Sequence, residues 1–259
     1  MDKDIENHQL KLNISLLKAT FDVDADRVRR LLDGGADPKF ASALGVTALH
    51  NAAQMGSARI GELLVAAGAD AGARDCEGYT PLHMAATMGK GAFAAMILGK
   101  GADPDARSSN GDTALGMTAL DSGNAGISKI LLDAGASPNS VGQKDRPILH
   151  EAVRWDNAEL VRLLLDAGAD PSAVWNGMTP LHAAASESGP EVVRQLLSRG
   201  ADPLARAADG RTPIEMSEGS RSEVVKSLVR AAAERRELED ATARGSFAPR
   251  VSEREGLRM

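Results

Sequence analysis

The residues best equipped for chemistry are the histidines: His8, His50, His83, His150 and His182. Histidine is both the commonest metal ligand and the side chain that titrates nearest neutral pH. A metal site needs ligands converging within a few ångströms of one ion. Four of these histidines instead recur at separations of 33, 67 and 32 residues, one or two repeats apart, each as the fourth residue of a similar tetrapeptide: Thr47-Ala-Leu-His50, Thr80-Pro-Leu-His83, Pro147-Ile-Leu-His150 and Thr179-Pro-Leu-His182. Side chains repeated at those intervals are strung along the molecule, so a structural role is expected and neither a metal centre nor a general base. The aspartates of Gly-Ala-Asp, at 37, 70, 103, 170 and 202, recur likewise. A catalytic carboxylate would be singular, and a short polar side chain beside a glycine turn is expected to bond nearby backbone.

Other nucleophile and phosphate signals are absent. Met88-Gly-Lys-Gly91 and Gly99-Lys-Gly101 lack the spacing, and the preceding strand, of a phosphate loop. No Gly-x-Ser-x-Gly elbow, His-Glu-x-x-His pair or dinucleotide fingerprint occurs. Cys76, the single cysteine, can form neither an intrachain disulfide nor a cysteine-based zinc cage. With no basic neighbour to lower its pKa, it is expected to be an inert thiol. The sequence therefore predicts no catalytic residue, no cofactor and no metal.

What positions these residues is a repeat, and internal periods take priority over motifs. The anchors at Thr47, Thr80, Thr113, Pro147, Thr179 and Thr212 are separated by 33, 33, 34, 32 and 33 residues. A second series, from Gly35-Ala-Asp37 to Gly200-Ala-Asp202, runs in step 21 residues after each anchor, or 22 in the Thr113 repeat. The extra residue there falls around Ser122-Gly-Asn124. Thr before Pro reads as a helix N-cap followed by proline at the first helical position. Small residues such as Ala85-Ala86 allow close helix contact, and Glu159-Leu-Val-Arg-Leu-Leu-Leu165 carries the apolar spacing of a second helix. The Gly of Gly-Ala-Asp is expected in the left-handed conformation that ends a helix.

The pattern Asp75-Cys-Glu-Gly-Tyr-Thr-Pro-Leu-His-Met-Ala-Ala86, closing on Gly101-Ala-Asp103, resembles the ankyrin repeat. The resemblance covers about residues 14–235. It implies an all-α solenoid of stacked helix-turn-helix units joined by extended β-turn fingers. Five full repeats, anchored at 47, 80, 113, 147 and 179, lie between two degenerate end units starting at 14 and 212. Residues 1–13 read as a polar extension, 14–240 as the solenoid and 241–259, rich in Arg, Glu, Ser and Gly, as a flexible tail.

The resemblance also implies a non-catalytic protein-interaction scaffold whose partner lies on a concave face of finger tips and first helices. Carried over by position, the contacts include Met55 and Met88 with Asp121 and Glu187 at the helix ends, and Cys76, Tyr79, Gln143, Lys144 and Met178 in the fingers. Both tryptophans and the only tyrosine of a chain with 3% aromatic content fall at such positions. Trp, Tyr and Arg dominate interface hot spots, so Met55, Tyr79, Met88, Arg146, Arg154, Trp155, Trp175 and Met178 are the candidate partner-binding residues. A second account stays open, in which Trp175 packs over a shortened turn and Trp155 over a helix end where Asp156 replaces Gly.

A net charge of −6 speaks against nucleic acid as a partner, and no apolar run is long enough to span a bilayer. A protein partner, no small-molecule substrate, a monomeric state and a cytoplasmic location follow as expectations, with leaderless secretion left open. A regulatory or inhibitory subunit of a separate enzyme, or a host-directed effector of a bacterium, would present the same sequence features.

Overall fold

The computed structural model describes residues 2–119, 125–142, 146–219 and 222–243, with side chains from residue 6. Its described residues form helices in pairs: α1 (Asp2–Phe21) with α2 (Ala25–Asp33), α3 (Ala48–Met55) with α4 (Ala58–Ala66), and α5 (Pro81–Thr87) with α6 (Gly91–Leu98). The series continues with α7 (Ala114–Thr118) and α8 (Ala125–Asp133), α9 (Ile148–Arg154) and α10 (Ala158–Asp166), α11 (Pro180–Glu187) and α12 (Pro190–Ser198), and α13 (Pro213–Ser217) and α14 (Glu223–Ala243). First helices pack on first helices, as α1 on α3, α3 on α5 and α9 on α11. Second helices likewise pack each on the next, from α2 on α4 to α12 on α14. This is the all-α solenoid that the repeat predicts.

The anchors act as caps. Thr80 accepts from the His83 N–H, and Pro81, Pro180 and Pro213 occupy the first helical position, where no intrahelical N–H bond is lost. Leu49, Leu82, Leu115, Leu149 and Leu181, third in each anchor, are buried. Opposite them the second helices bury Ile60 and Leu64, Phe93 and Ile97, Leu160 and Leu164, or Val192 and Leu196. Each such side chain contributes about 1.5–3 kcal/mol. Adjacent pairs thus share one continuous thin core.

The helix pairs end as expected. Gly35, Gly68, Gly101, Gly135, Gly168 and Gly200 all have positive φ, and the following aspartates accept backbone N–H groups two residues on, as Asp70 does from Gly72 at 2.9 Å. The extended fingers are tied tip to tip by backbone bonds: Cys76 N–H to Leu44 at 2.9 Å, Ser109 to Glu77 at 2.9 Å and Ala208 to Gly177 at 2.8 Å. Three fingers carry an arginine clamp, in which Arg74, Arg107 and Arg206 donate to the carbonyls of Gly78, Gly111 and Gly210.

The polar segment before Ile14 is the first part of helix α1. It is held by polar ties: Gln9 Nε2 donates to the Gly35 carbonyl at 2.9 Å, and Asn13 Oδ1 accepts the Asp37 N–H at 2.8 Å. Helix α14 runs through Ala243. The extra residue near Ser122–Asn124, Asp121, the turn residues Gln143, Lys144 and Asp145, and the tail beyond Ala243 lie outside the described residues.

Candidate functional site

The histidine column locks one repeat to the next. Nδ1 of His50, His83 and His182 lies 3.1–3.2 Å from the backbone nitrogen of Thr47, Thr80 or Thr179. A backbone N–H only donates, so Nδ1 is the acceptor and the ring proton sits on Nε2. That proton is donated across the repeat boundary: to Tyr79 at 3.0 Å from His50, to Asp112 at 2.9 Å from His83, and to Ala173 at 2.7 Å from His150. His182 reaches the carbonyls of Ala205 and Arg211, both at 3.1 Å. Burial holds His50, His83 and His150 below the usual histidine pKa, so the neutral ring is the resting form. Among the described residues, no three His, Cys, Asp or Glu side chains are grouped to hold a metal ion.

The aromatic candidates meet around α9. Arg146 lies just before Pro147, the N-cap of that helix, and Glu151 and Trp155 stand four residues apart on one helical face. Trp155 Nε1 donates to Glu151 Oε1 at 3.0 Å, and the other oxygen of Glu151 pairs with the Arg146 guanidinium. The guanidinium carbon in turn lies 4.2 Å from the centroid of the Trp175 ring, within cation–π range. Trp175 is aimed there by a two-residue hairpin. Trp175 and Met178 exchange backbone bonds of 2.9 and 3.0 Å. Asn176 and Gly177 between them both have positive φ, the backbone of the tight turn that Asn-Gly favours. The ring of Trp175 also packs 6.1 Å from that of His150.

A continuous chain of contacts therefore runs Trp155–Glu151–Arg146–Trp175, with Met178 joined through the backbone. The two tryptophans differ in exposure. Trp155 is 53% exposed and presents its ring to solvent, whereas Trp175 is half-buried between Arg146 and His150. The ring of Trp175 thus packs on Arg146 and His150 of the preceding repeat. Asp156 beside Trp155, with φ of 50°, accepts a bond from the Gly189 N–H.

The remaining candidates lie apart from this cluster. Met55 and Met88 are exposed at the ends of α3 and α5, the same place that Trp155 holds on α9. Tyr79 is half-buried with its ring edge against His83, centroids 5.6 Å apart. Arg154 is exposed beside Trp155, and Cys76 is exposed at a finger tip. Glu151, which couples Arg146 to Trp155, is absent from the sequence-level candidates. Its one visible signal is an acid four residues before a tryptophan and five after an arginine.

Comparison with known proteins agrees with this architecture. Three copies of the ankyrin-repeat family model match residues 16–108, 91–174 and 149–238. No curated protein matches the chain by sequence. Among solved structures, the ankyrin repeat domain of Bcl-3, a member of the IkappaB protein family, is 29% identical with a TM-score of 0.73, covering 83% of this chain and 97% of that one. The human ASB11 ankyrin repeat domain is 22% identical with a TM-score of 0.71, covering 84% and 96% respectively. Ankyrin-repeat domains as a class mediate protein–protein interaction. With the repeat, its caps and its interlocking histidines in place over most of its length, the chain belongs to the ankyrin-repeat family.

Proposed function

We propose that this chain is a non-catalytic scaffold that binds a partner protein across its finger tips and first-helix ends, with the surface around α9 as the anchor. The observation that carries this is the Trp155–Glu151–Arg146–Trp175 chain of contacts. The polar edge of Trp155 is already satisfied by Glu151, so what the exposed ring offers is apolar area without a desolvation penalty for its N–H. Its support is held in place by an ion pair whose two side chains are only 20% and 14% exposed. Pre-organised aromatic surface of this kind is the usual make-up of an interface hot spot. Met55 and Met88 supply adaptable apolar contact along the same row of helix ends.

The test is affinity capture from lysate of the source organism with the wild type and with a Trp155→Ala/Trp175→Ala variant, both shown to be folded by circular dichroism. A protein retained by the first and lost by the second supports the proposal. Equal retention removes the tryptophans from the interface. Capture of nothing by either would count against the scaffold itself.

A further inference from the structure

We infer that the repeat anchored at Thr113 is the weak joint of the solenoid, where the chain opens first and where its two halves flex against each other. This goes beyond the proposed function and does not depend on it. In a solenoid each unit touches only its neighbours, so stability is close to a sum of unit and interface contributions. The unit with the poorest contributions then decides where the rod yields.

Three substitutions converge on this repeat. Gly116 stands where His50, His83, His150 and His182 stand elsewhere. Its N–H still bonds to the Thr113 hydroxyl at 3.1 Å, so the cap remains. The ring that ties the cap to the next finger elsewhere is missing, leaving a long Thr113–Ser140 hydroxyl contact of 3.5 Å in its place, and glycine is itself a poor helix residue. Thr118 occupies the place of Ala52, Ala85, Ala152 and Ala184, and Ser128, allowing for the extra residue, that of Gly61, Ala94, Val161 and Val193.

These two hydroxyls meet 2.7 Å apart, fully buried between α7 and α8. Thr118 also bonds to the Leu115 carbonyl at 2.7 Å. Where other repeats place apolar contacts, this one depends on a buried polar link.

The neighbouring unit adds to the weakness. Pro147 has neither the N–H nor the hydroxyl that Thr47, Thr80 and Thr179 hold against their histidines. Two consecutive units thus lack the complete threonine–histidine lock. Helix α7 is also only five residues long, against eight in α3, seven in α5 and α9 and eight in α11. The joint falls between the candidate residues Tyr79 and Met88 on one side and the Arg146–Trp175 cluster on the other.

Hydrogen exchange read by mass spectrometry on the full chain tests this at neutral pH. Amides of α7 and α8 should exchange about tenfold faster than those of α5, α6, α9 and α10, the scale set by losing one or two buried bonds per unit. Equal protection across α5–α10, or fraying confined to the two ends, would overturn the inference without any variant. Gly116→His combined with Thr118→Ala and Ser128→Ala should bring α7 and α8 to their neighbours' rate. Should that variant not fold, Gly116→Ala alone should slow their exchange severalfold. Fast exchange that persists in a folded variant would reject these residues as the cause.

Discussion

The ring of His83 joins two repeats: its Nε2–H donates to the Asp112 carbonyl at 2.9 Å, while Nδ1 accepts the Thr80 N–H at 3.1 Å. Only the neutral Nε2–H tautomer can make both bonds. A second proton, placed on Nδ1, would set a donor against a donor. Glu215 shows what the ring adds. Its carboxylate also accepts the N–H of its anchor, Thr212, at 2.7 Å, but among the described residues it makes no bond to a following finger.

This geometry sets the direction of the pH dependence. Burial lowers the pKa of His50, His83 and His150 in the folded state from the ordinary 6.5. Between the folded value and 6.5 the unfolded chain binds more protons than the folded one, so stability rises with pH there. The contribution is complete above about 6.5 and is lost as the pH falls below it. Glu159, Glu215 and Glu223 also have lowered pKa values, but from 4.5, so their loss comes at more acid pH. Urea midpoints should stay level from about pH 7.5 to about 6.5 and fall from there to about 5.5. His83→Ala should cost about 2–3 kcal/mol at neutral pH and reduce that slope. A midpoint flat across the range would refute the neutral lock.

How much of this was legible depends on whether a residue's task is local and repeated. The caps, the Gly-Ala-Asp ends and the buried leucines were readable because each is fixed by its own backbone or helix face and recurs in step. Helix α1 before Ile14 was not, since Gln9 and Asn13 hold it through polar bonds to the first finger and leave no apolar period to read. The arginine clamp at Arg74, Arg107 and Arg206 escaped because Ala41, Val141 and Ala173 stand at the same place in other fingers. Tyr79, Trp155 and Trp175 stood out by rarity. Glu151 occurs once in its column and acts through Arg146 and Trp155, a relationship that only the folded chain displays.

Glu151 should matter to the surface more than its single contacts suggest. Glu151→Ala leaves the Arg146 guanidinium, largely buried, without its counter-charge and frees the Trp155 indole N–H. We expect a loss of about 1–3 kcal/mol in urea unfolding and greater mobility of Trp155, seen as faster depolarisation of its fluorescence in a Trp175→Phe background. Glu151→Gln keeps an acceptor for the indole N–H and should restore the anisotropy but not all of the stability. Unchanged anisotropy in Glu151→Ala would show that Trp155 is held by something else.

The fingers offer a comparison between two glycines of the same conformation. Gly78 and Gly210 have φ of 79° and 84°. A Cβ on Gly78 would come within 2.7 Å of the backbone nitrogen of Ser109 in the next finger, whereas one on Gly210, in the last described finger, meets nothing within 4 Å. Gly210→Ala should therefore cost only the left-handed penalty of about 1–2 kcal/mol. Gly78→Ala should cost more, because it also disturbs the Ser109–Glu77 bond between finger tips. Equal losses for the two in thermal or urea unfolding would mean that the tips are not packed as described.

The two tryptophans should separate packing from binding. Trp155 is 53% exposed and its indole N–H is bonded to Glu151, so Trp155→Ala should cost about 1 kcal/mol, the scale of one such bond. Trp175 carries the Arg146 guanidinium at 4.2 Å and packs on His150. Trp175→Ala removes both contacts and should cost about 2–3 kcal/mol. If Trp155 is an anchor, Trp155→Ala will abolish partner capture while shifting the unfolding curve less than Trp175→Ala does, an outcome that packing alone cannot produce. If instead Trp155→Ala unfolds as readily as Trp175→Ala, the exposed ring contributes to the fold, and the search for the interface moves to Met55 and Met88, the equivalent helix ends nearer the N-terminus.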